Sequence, residues 1–234
     1  MLQGRGARKR RKRSSGDRRN KDSRYRKPCH VYIAGMNHDV RTYKVNEIFY
    51  SLQGEGHHAG RTAVFVRFAK CNLHCSFCDT NFDEYTEMSA QQIIENVQQY
   101  APCNFVVITG GEPTLQVTPE LLQLFHVHGY YVSMETNGTH PIPKGVDWIT
   151  CSPKKAFIEA GDVHIKQANE IKVVYDGIHP ISTFGIESEE RYVQPCDVGD
   201  ELRNKEIMQK AIQFVKTHPQ WKLSLQLHKL IGIQ

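Results

Sequence analysis

The 234-residue sequence contains no apolar run of the ~18 residues that a membrane-spanning helix needs. Its basic start is not followed by the apolar stretch of a secretory signal, so no signal peptide is expected. No internal repeat is evident, which argues against solenoids and propellers. The seven cysteines are odd in number and three of them fall within eight residues, so an evenly paired secreted disulfide framework is not expected. Reduced thiols with a clustered metal site fit better, and with them a cytoplasmic protein. What is present suits a globular enzyme: 39% hydrophobic and 24% charged residues, in a chain long enough for one sizeable α/β domain.

The net charge of +5 conceals an uneven distribution. Thirteen of the thirty Lys/Arg but only two of the twenty-five Asp/Glu lie in residues 1–35. The remainder is mildly acidic, so a polyanionic partner is not required and nucleic acid is not expected to be one. Residues 1–42 are expected to be a disordered basic tail, too poor in apolar side chains to bury a core. The favoured reading is a solvated tail or a stretch ahead of a true start near Met36, rather than a nucleic-acid arm. Residues 43–234 are expected to carry the chemistry.

From Tyr43 onward strand and helix patterns alternate. Residues 44–50 (KVNEIFY) and 63–68 (AVFVRF) read as strands, and 89–100 as a helix opened by a Ser89/Gln92 capping box. FVVIT at 105–109 is a continuous apolar run, as a buried parallel strand should be. Thr118 and Pro119 open the next helix. Further strands are expected at 130–135, 148–151, 170–174, 191–194 and 223–227. Ile207, Met208, Ala211, Ile212 and Val215 recur at helical spacing between the last two. Such alternation implies a largely parallel sheet.

Cys71, Cys75 and Cys78 stand as C-x3-C-x2-C in a loop just after a strand. Three thiolates so spaced can bind three corners of a [4Fe–4S] cubane and leave one iron without a protein ligand, free to take a small chelating molecule. Structural zinc is the competing reading, with His74 as the fourth ligand. Zinc ligands usually arrive as two separated pairs, however, and no second CxxC exists. Downstream, Thr109, Gly110, Gly111, Glu112 and Pro113 end the FVVIT strand. The paired glycines permit close backbone approach, and Glu112 is expected to order a ligand by hydrogen bonds.

This combination resembles the radical S-adenosylmethionine (SAM) superfamily. SLQGEG at 51–56, Arg67, the Asp79-Thr80 pair, ETNG at 135–138, SPK at 152–154 and the final QLHKLIGIQ narrow the resemblance to the 7-carboxy-7-deazaguanine synthase family. The resemblance implies a partial TIM-like βα barrel of the radical SAM type, with a [4Fe–4S] cluster on Cys71, Cys75 and Cys78. It places SAM against Phe77, Cys78, Asp79, Gly111, Ser152, Pro153, Lys154 and Gln194. It places the substrate, 6-carboxy-5,6,7,8-tetrahydropterin, against Leu52, Gln53, Gly54, Arg67, Thr109 and Gln234, and makes Thr80 a ligand to Mg²⁺. By the same resemblance an adenosyl radical takes hydrogen from C6 of the pterin, the ring contracts and ammonia is lost. A flavodoxin- or ferredoxin-type electron donor and a homodimer are implied as partners.

The residue chemistry agrees with these roles. Arg67 offers a planar fork for a carboxylate, against the simpler reading of a strand salt bridge. Gln53 has both donor and acceptor for a pterin edge. Glu55 is either a partner for pterin nitrogens or a solvated turn residue. Lys70 departs from the glycine expected before the first cysteine, which should alter the loop slightly. The alternative function is an activating enzyme for a glycyl-radical protein or anaerobic ribonucleotide reductase, in which SLQGEG and Arg67 would have no pterin to bind.

Overall fold

The computed structural model describes residues 41–78 and 83–234. The expected basic tail falls almost entirely outside these residues, as do Asp79 and Thr80. The elements in chain order are β1 (Thr42–Leu52), β2 (Thr62–Phe68), β3 (Thr86–Ser89), α1 (Ala90–Gln98), β4 (Phe105–Gly110), α2 (Pro119–Val127), β5 (Tyr131–Thr136), β6 (Trp148–Cys151), β7 (Gln167–Tyr175), β8 (Glu187–Pro195), α3 (Glu201–Thr217), β9 (Lys222–Leu223) and α4 (Leu227–Ile231).

The helices start where side chains can satisfy the orphan N–H groups. Ser89 accepts from Gln92 N while the Gln92 side chain accepts from Ser89 N, which closes the expected capping box. Thr118 caps α2 ahead of Pro119, and Asp200 caps α3. Each such cap contributes about 1 kcal/mol.

All nine strands form one sheet in the order β3-β1-β2-β4-β5-β6-β7-β8-β9. β1 runs antiparallel to β2 and β3, and every pairing from β2 onward to β9 is parallel. Among the described residues β3 and β9 are edges that do not pair with each other, so the barrel is partial, as expected. Helix and strand alternate less regularly than the sequence pattern implied. The connections β5–β6, β6–β7 and β7–β8 carry no helix. The strand expected at 223–227 stops at Leu223, and Leu227 begins a short helix instead. β3, not foreseen, pairs with the start of β1.

Alternation along each strand separates two faces. Val64, Val66, Phe68, Val106, Ile108, Val132 and Met134 pack outward against Ile93, Ile94 and Val97 of α1 and Leu121, Leu122 and Phe125 of α2. Ile171, Val173 and Val193 pack similarly with Ala211 of α3 and Trp221. The complementary set faces the other way: Ala63, Phe65, Phe105 and Val107 form a smaller apolar cluster. Arg67, Thr109, Glu135, Lys172 and Gln194 continue that face toward the C-terminal ends of the strands, where α/β enzymes bind ligands.

Candidate active site

A cavity of about 840 Å³ opens at those strand ends. Cys71, Cys75, Phe77 and Cys78 line it, together with Gly111, Ser152, Lys154, Gln194, Leu52, Gln53, Gly54, Arg67, Thr109 and Gln234. Fourteen residues expected from scattered motifs thus share one space. Pro153 is buried and does not line it. Asp79 and Thr80 lie outside the described residues.

The cluster loop is held by backbone packing against the glycine motif. Gly111 N donates to Phe68 O at 2.9 Å and Glu112 N to Lys70 O at 2.9 Å. A Cβ on Gly110 would stand 2.1 Å from Phe68 O, and one on Gly111 2.0 Å from Lys70 O. The two glycines therefore admit the cluster loop's own backbone. Asn72 ties the same loop to the ETNG turn: its amide donates to Thr139 Oγ1 at 2.9 Å and its Oδ1 accepts from Asn137 at 3.0 Å.

Glu112 corrects the expectation that it orders a ligand. It is fully buried and does not line the cavity. Its Oε1 accepts from Thr114 N (3.1 Å), Thr114 Oγ1 (2.6 Å) and Thr136 Oγ1 (2.8 Å), and its Oε2 from Asn137 N (2.7 Å). Both carboxylate oxygens are occupied in joining the β4 and β5 strand ends.

Cys71, Cys75 and Cys78 stand on one loop that lines the cavity. Cys71 and Cys75 are half-buried and Cys78 is exposed. His74, offered above as a zinc ligand, is exposed and does not line the cavity.

Arg67 donates through Nε to Glu47 Oε1 at 2.8 Å. The salt-bridge and ligand-fork readings are therefore compatible, since Glu47 sets the plane of a guanidinium that still lines the cavity. Gln234 Nε2 donates to Glu47 Oε2 at 2.8 Å, which brings the end of the chain to the same wall. Gln53 Nε2 donates to Glu135 Oε1 at 3.0 Å, and Thr109 Oγ1 to Glu135 Oε2 at 3.2 Å. Lys154 donates to both Ser152 O and Ser152 Oγ at 2.6 Å, and burial pushes its ammonium below the usual lysine range.

The chain is also similar to known proteins. The description of the radical SAM superfamily matches residues 65–165. A 7-carboxy-7-deazaguanine synthase of Bacteroides thetaiotaomicron is 46% identical over 192 residues, covering 82% of this chain and 98% of the relative. The chain belongs to the 7-carboxy-7-deazaguanine synthase family. A family member from Haemophilus influenzae is 39% identical over 206 residues, covering 84% of this chain and 97% of the relative. The crystal structure of QueE from Escherichia coli superposes with a TM-score of 0.65 at 26% identity, over 80% of this chain and 95% of that one.

Several lining residues of this family member had no assigned role in the sequence reading: Glu135, Lys172, Glu47, Asn137 and His228. Glu135 sat in a recognised motif without a stated task. Lys172 did leave a signal, because Glu170 and Lys172 alternate with Ile171 and Val173. That pattern places charge on the inward face of an otherwise apolar strand. Glu55 is not a solvated turn residue, since its side chain is 14% exposed and paired to Lys172.

Proposed function

We propose that the chain is a radical SAM lyase that converts 6-carboxy-5,6,7,8-tetrahydropterin to 7-carboxy-7-deazaguanine with loss of ammonia, in 7-deazapurine biosynthesis of the queuosine type. One observation carries the reading: the three thiols and a carboxylate-, guanidinium- and amide-lined wall share a single cavity of about 840 Å³. Cys71, Cys75 and Cys78 would hold a [4Fe–4S] cluster. Phe77, Asp79, Gly111, Ser152, Pro153, Lys154 and Gln194 would hold SAM. When bound, these supply a 5′-deoxyadenosyl radical by one-electron cleavage of the sulfonium.

The chain's own residues bind, orient and exclude. Arg67 meets the substrate carboxylate with its planar fork. Gln53 and Thr109, fixed through Glu135, address the ring, and Leu52 and Gly54 complete that wall. Phe49, Phe65, Leu73 and Val174 line the same space and keep quenching water from the reacting carbon. Thr80 is proposed as an oxygen ligand to Mg²⁺, which suits a hard cation. The reading includes an external flavodoxin- or ferredoxin-type electron donor, a homodimer and a cytoplasmic location. A glycyl-radical activating role is not favoured, because full-length relatives carry the synthase name and the pterin-addressing residues line the cavity.

The test is anaerobic turnover of the carboxytetrahydropterin with SAM, reductant and Mg²⁺, read by mass spectrometry. Wild type should release 7-carboxy-7-deazaguanine and ammonia in equal amounts. Cys71→Ala, Cys75→Ala and Cys78→Ala should each lose the cluster's absorbance and all turnover. A single Cys→Ala protein that still cleaves SAM after reconstitution would show the ligand assignment to be wrong.

A further inference from the structure

Lys172 projects from β7 into the cavity with its side chain only 5% exposed. Its ammonium donates to Glu55 Oε2 and lies 3.5 Å from Glu135 Oε1. A third carboxylate, Glu170, sits two residues back on the same face of β7. Burial by itself would push the Lys172 ammonium down, but Glu135, Glu55 and Glu170 outweigh it and hold the group above the usual lysine range. Burial pushes Glu55 up, yet the charge and hydrogen bond of Lys172, with help from Gln226 and His228, bring it below the ordinary carboxylate value. Burial raises Glu170, whose Oε1 has no hydrogen-bond partner among the described residues. Glu170 does not line the cavity, and its Oε2 accepts from His57 N at 3.1 Å and Trp148 Nε1 at 3.2 Å. One cation then serves two carboxylates, Glu55 and Glu135, and both line the cavity.

We propose that Lys172 is a positioning residue for the substrate ring: it keeps Glu55 and Glu135 ionised side by side, so that together they accept the N–H donors of an aminopyrimidinone edge. The proposal rests on the pterin reading and deepens it, assigning recognition of the amino edge to a state that Lys172 maintains. An ionised carboxylate is acceptor-only, whereas a protonated one turns a hydroxyl donor toward the ring's own N–H. Without a cation between them, burial and mutual repulsion raise the pKa of one of two neighbouring carboxylates. The other groups facing the pair do not replace Lys172. Gln53 and Thr109 are neutral, His228 is the weakest of the influences on Glu55, Glu170 is an acid, and Lys154 donates to Ser152.

The test is anaerobic fluorescence titration of SAM-loaded, cluster-reconstituted holoenzyme with 6-carboxypterin and with 6-carboxylumazine, which carries an oxo group in place of the 2-amino group. Titrations run from pH ~5.5 to ~7, with each heterocycle's own ionisation measured in buffer and corrected for. Wild type should prefer the pterin by about tenfold or more, with a flat pH profile, as a site built around a donor rejects its analogue. Lys172→Met should bind the pterin at least about tenfold more weakly at the acid end and lose the preference. It should recover affinity as pH rises, because the carboxylate pair must now shed a proton. Lys172→Arg should keep the preference.

A Lys172→Met protein with wild-type preference and a flat profile overturns the proposal. So does one that loses both ligands equally at every pH, which is the mark of a merely structural role. If wild type binds neither heterocycle, the pterin reading fails. Lys172 is then judged by ¹³C-glutamate NMR of the holoenzyme, in which Lys172→Met should show a carboxyl titrating above pH ~6 that wild type lacks, as a carboxylate without its cation does; its absence overturns the proposal. Should Lys172→Met not fold, Lys172→Met/Glu55→Gln removes both halves of the ion pair. It should show weakened preference with a flat profile, and full wild-type preference would overturn the proposal.

Discussion

Lys70 takes the backbone through a left-handed turn, φ +72°, immediately before the first cluster cysteine. This is the position where family resemblance called for glycine, and the dihedral supplies the reason. An L side chain in that region costs roughly 1–2 kcal/mol, which glycine does not incur. The Lys70 ammonium recovers little, lying 3.7 Å from an exposed Asp83 carboxylate and 5.2 Å from the centre of the Tyr85 ring. Lys70→Gly is therefore expected to be neutral or stabilising by up to about 1 kcal/mol, net of the extra freedom it gives the unfolded chain. Lys70→Val, β-branched in the same turn, should destabilise by about 1 kcal/mol or more. Urea midpoints of the three proteins check the order; a Val variant as stable as wild type would refute the strained turn.

The strap between strand ends is an element-scale device. Glu112 leaves β4 and accepts four hydrogen bonds, two from Thr114 in its own turn and two from Thr136 and Asn137 at the end of β5, while the glycines before it admit the cluster loop. All its partners are donors, so glutamine is no conservative replacement: one end of an amide would present N–H to N–H or hydroxyl. Glu112→Ala should cost about 3 kcal/mol or more, since it strands buried donors. Glu112→Gln should fall between alanine and wild type. SAM affinity should drop in both variants, because the cluster loop and the ETNG turn hang from this strap. Wild-type stability in Glu112→Gln, measured by urea denaturation, would contradict the all-donor environment.

Across the whole sheet, a ring plug below the site makes stability sensitive to acid. His58 packs against Phe105, Trp148 and Tyr131 at centroid distances of 4.9, 4.9 and 6.1 Å, and its buried Nε2 has no hydrogen-bond partner among the described residues. Burial, then the neighbouring His57 and Arg61, lower its pKa from an ordinary 6.5 to about 4. The unfolded chain thus binds this proton first. The contribution of neutral His58 is complete above about pH 6.5 and is lost as pH falls from there toward about 4. His58→Phe, which keeps the ring packing, should narrow the gap between urea midpoints at pH 7.5 and pH 5 relative to wild type. An unchanged gap would assign the acid sensitivity to other groups.

The sequence by itself determined what neighbours in the chain can encode. The C-x3-C-x2-C loop, the Ser89/Gln92 capping box and the apolar strand at 105–109 were legible because each depends on local spacing and periodicity. The residues named for SAM and substrate were legible through motifs, and those described, save Pro153, line one cavity. Tertiary structure alone decided which polar groups serve the ligand and which serve the fold. Glu112 looked like a ligand contact and proved a buried strap, because its partners Thr136 and Asn137 lie on another strand. Lys172, Glu55 and Glu135 come from three segments more than thirty residues apart, and no local pattern specifies that they meet. Their pairing follows from distance and burial, which exist only once parallel pairing has brought β5 and β7 to the same cavity.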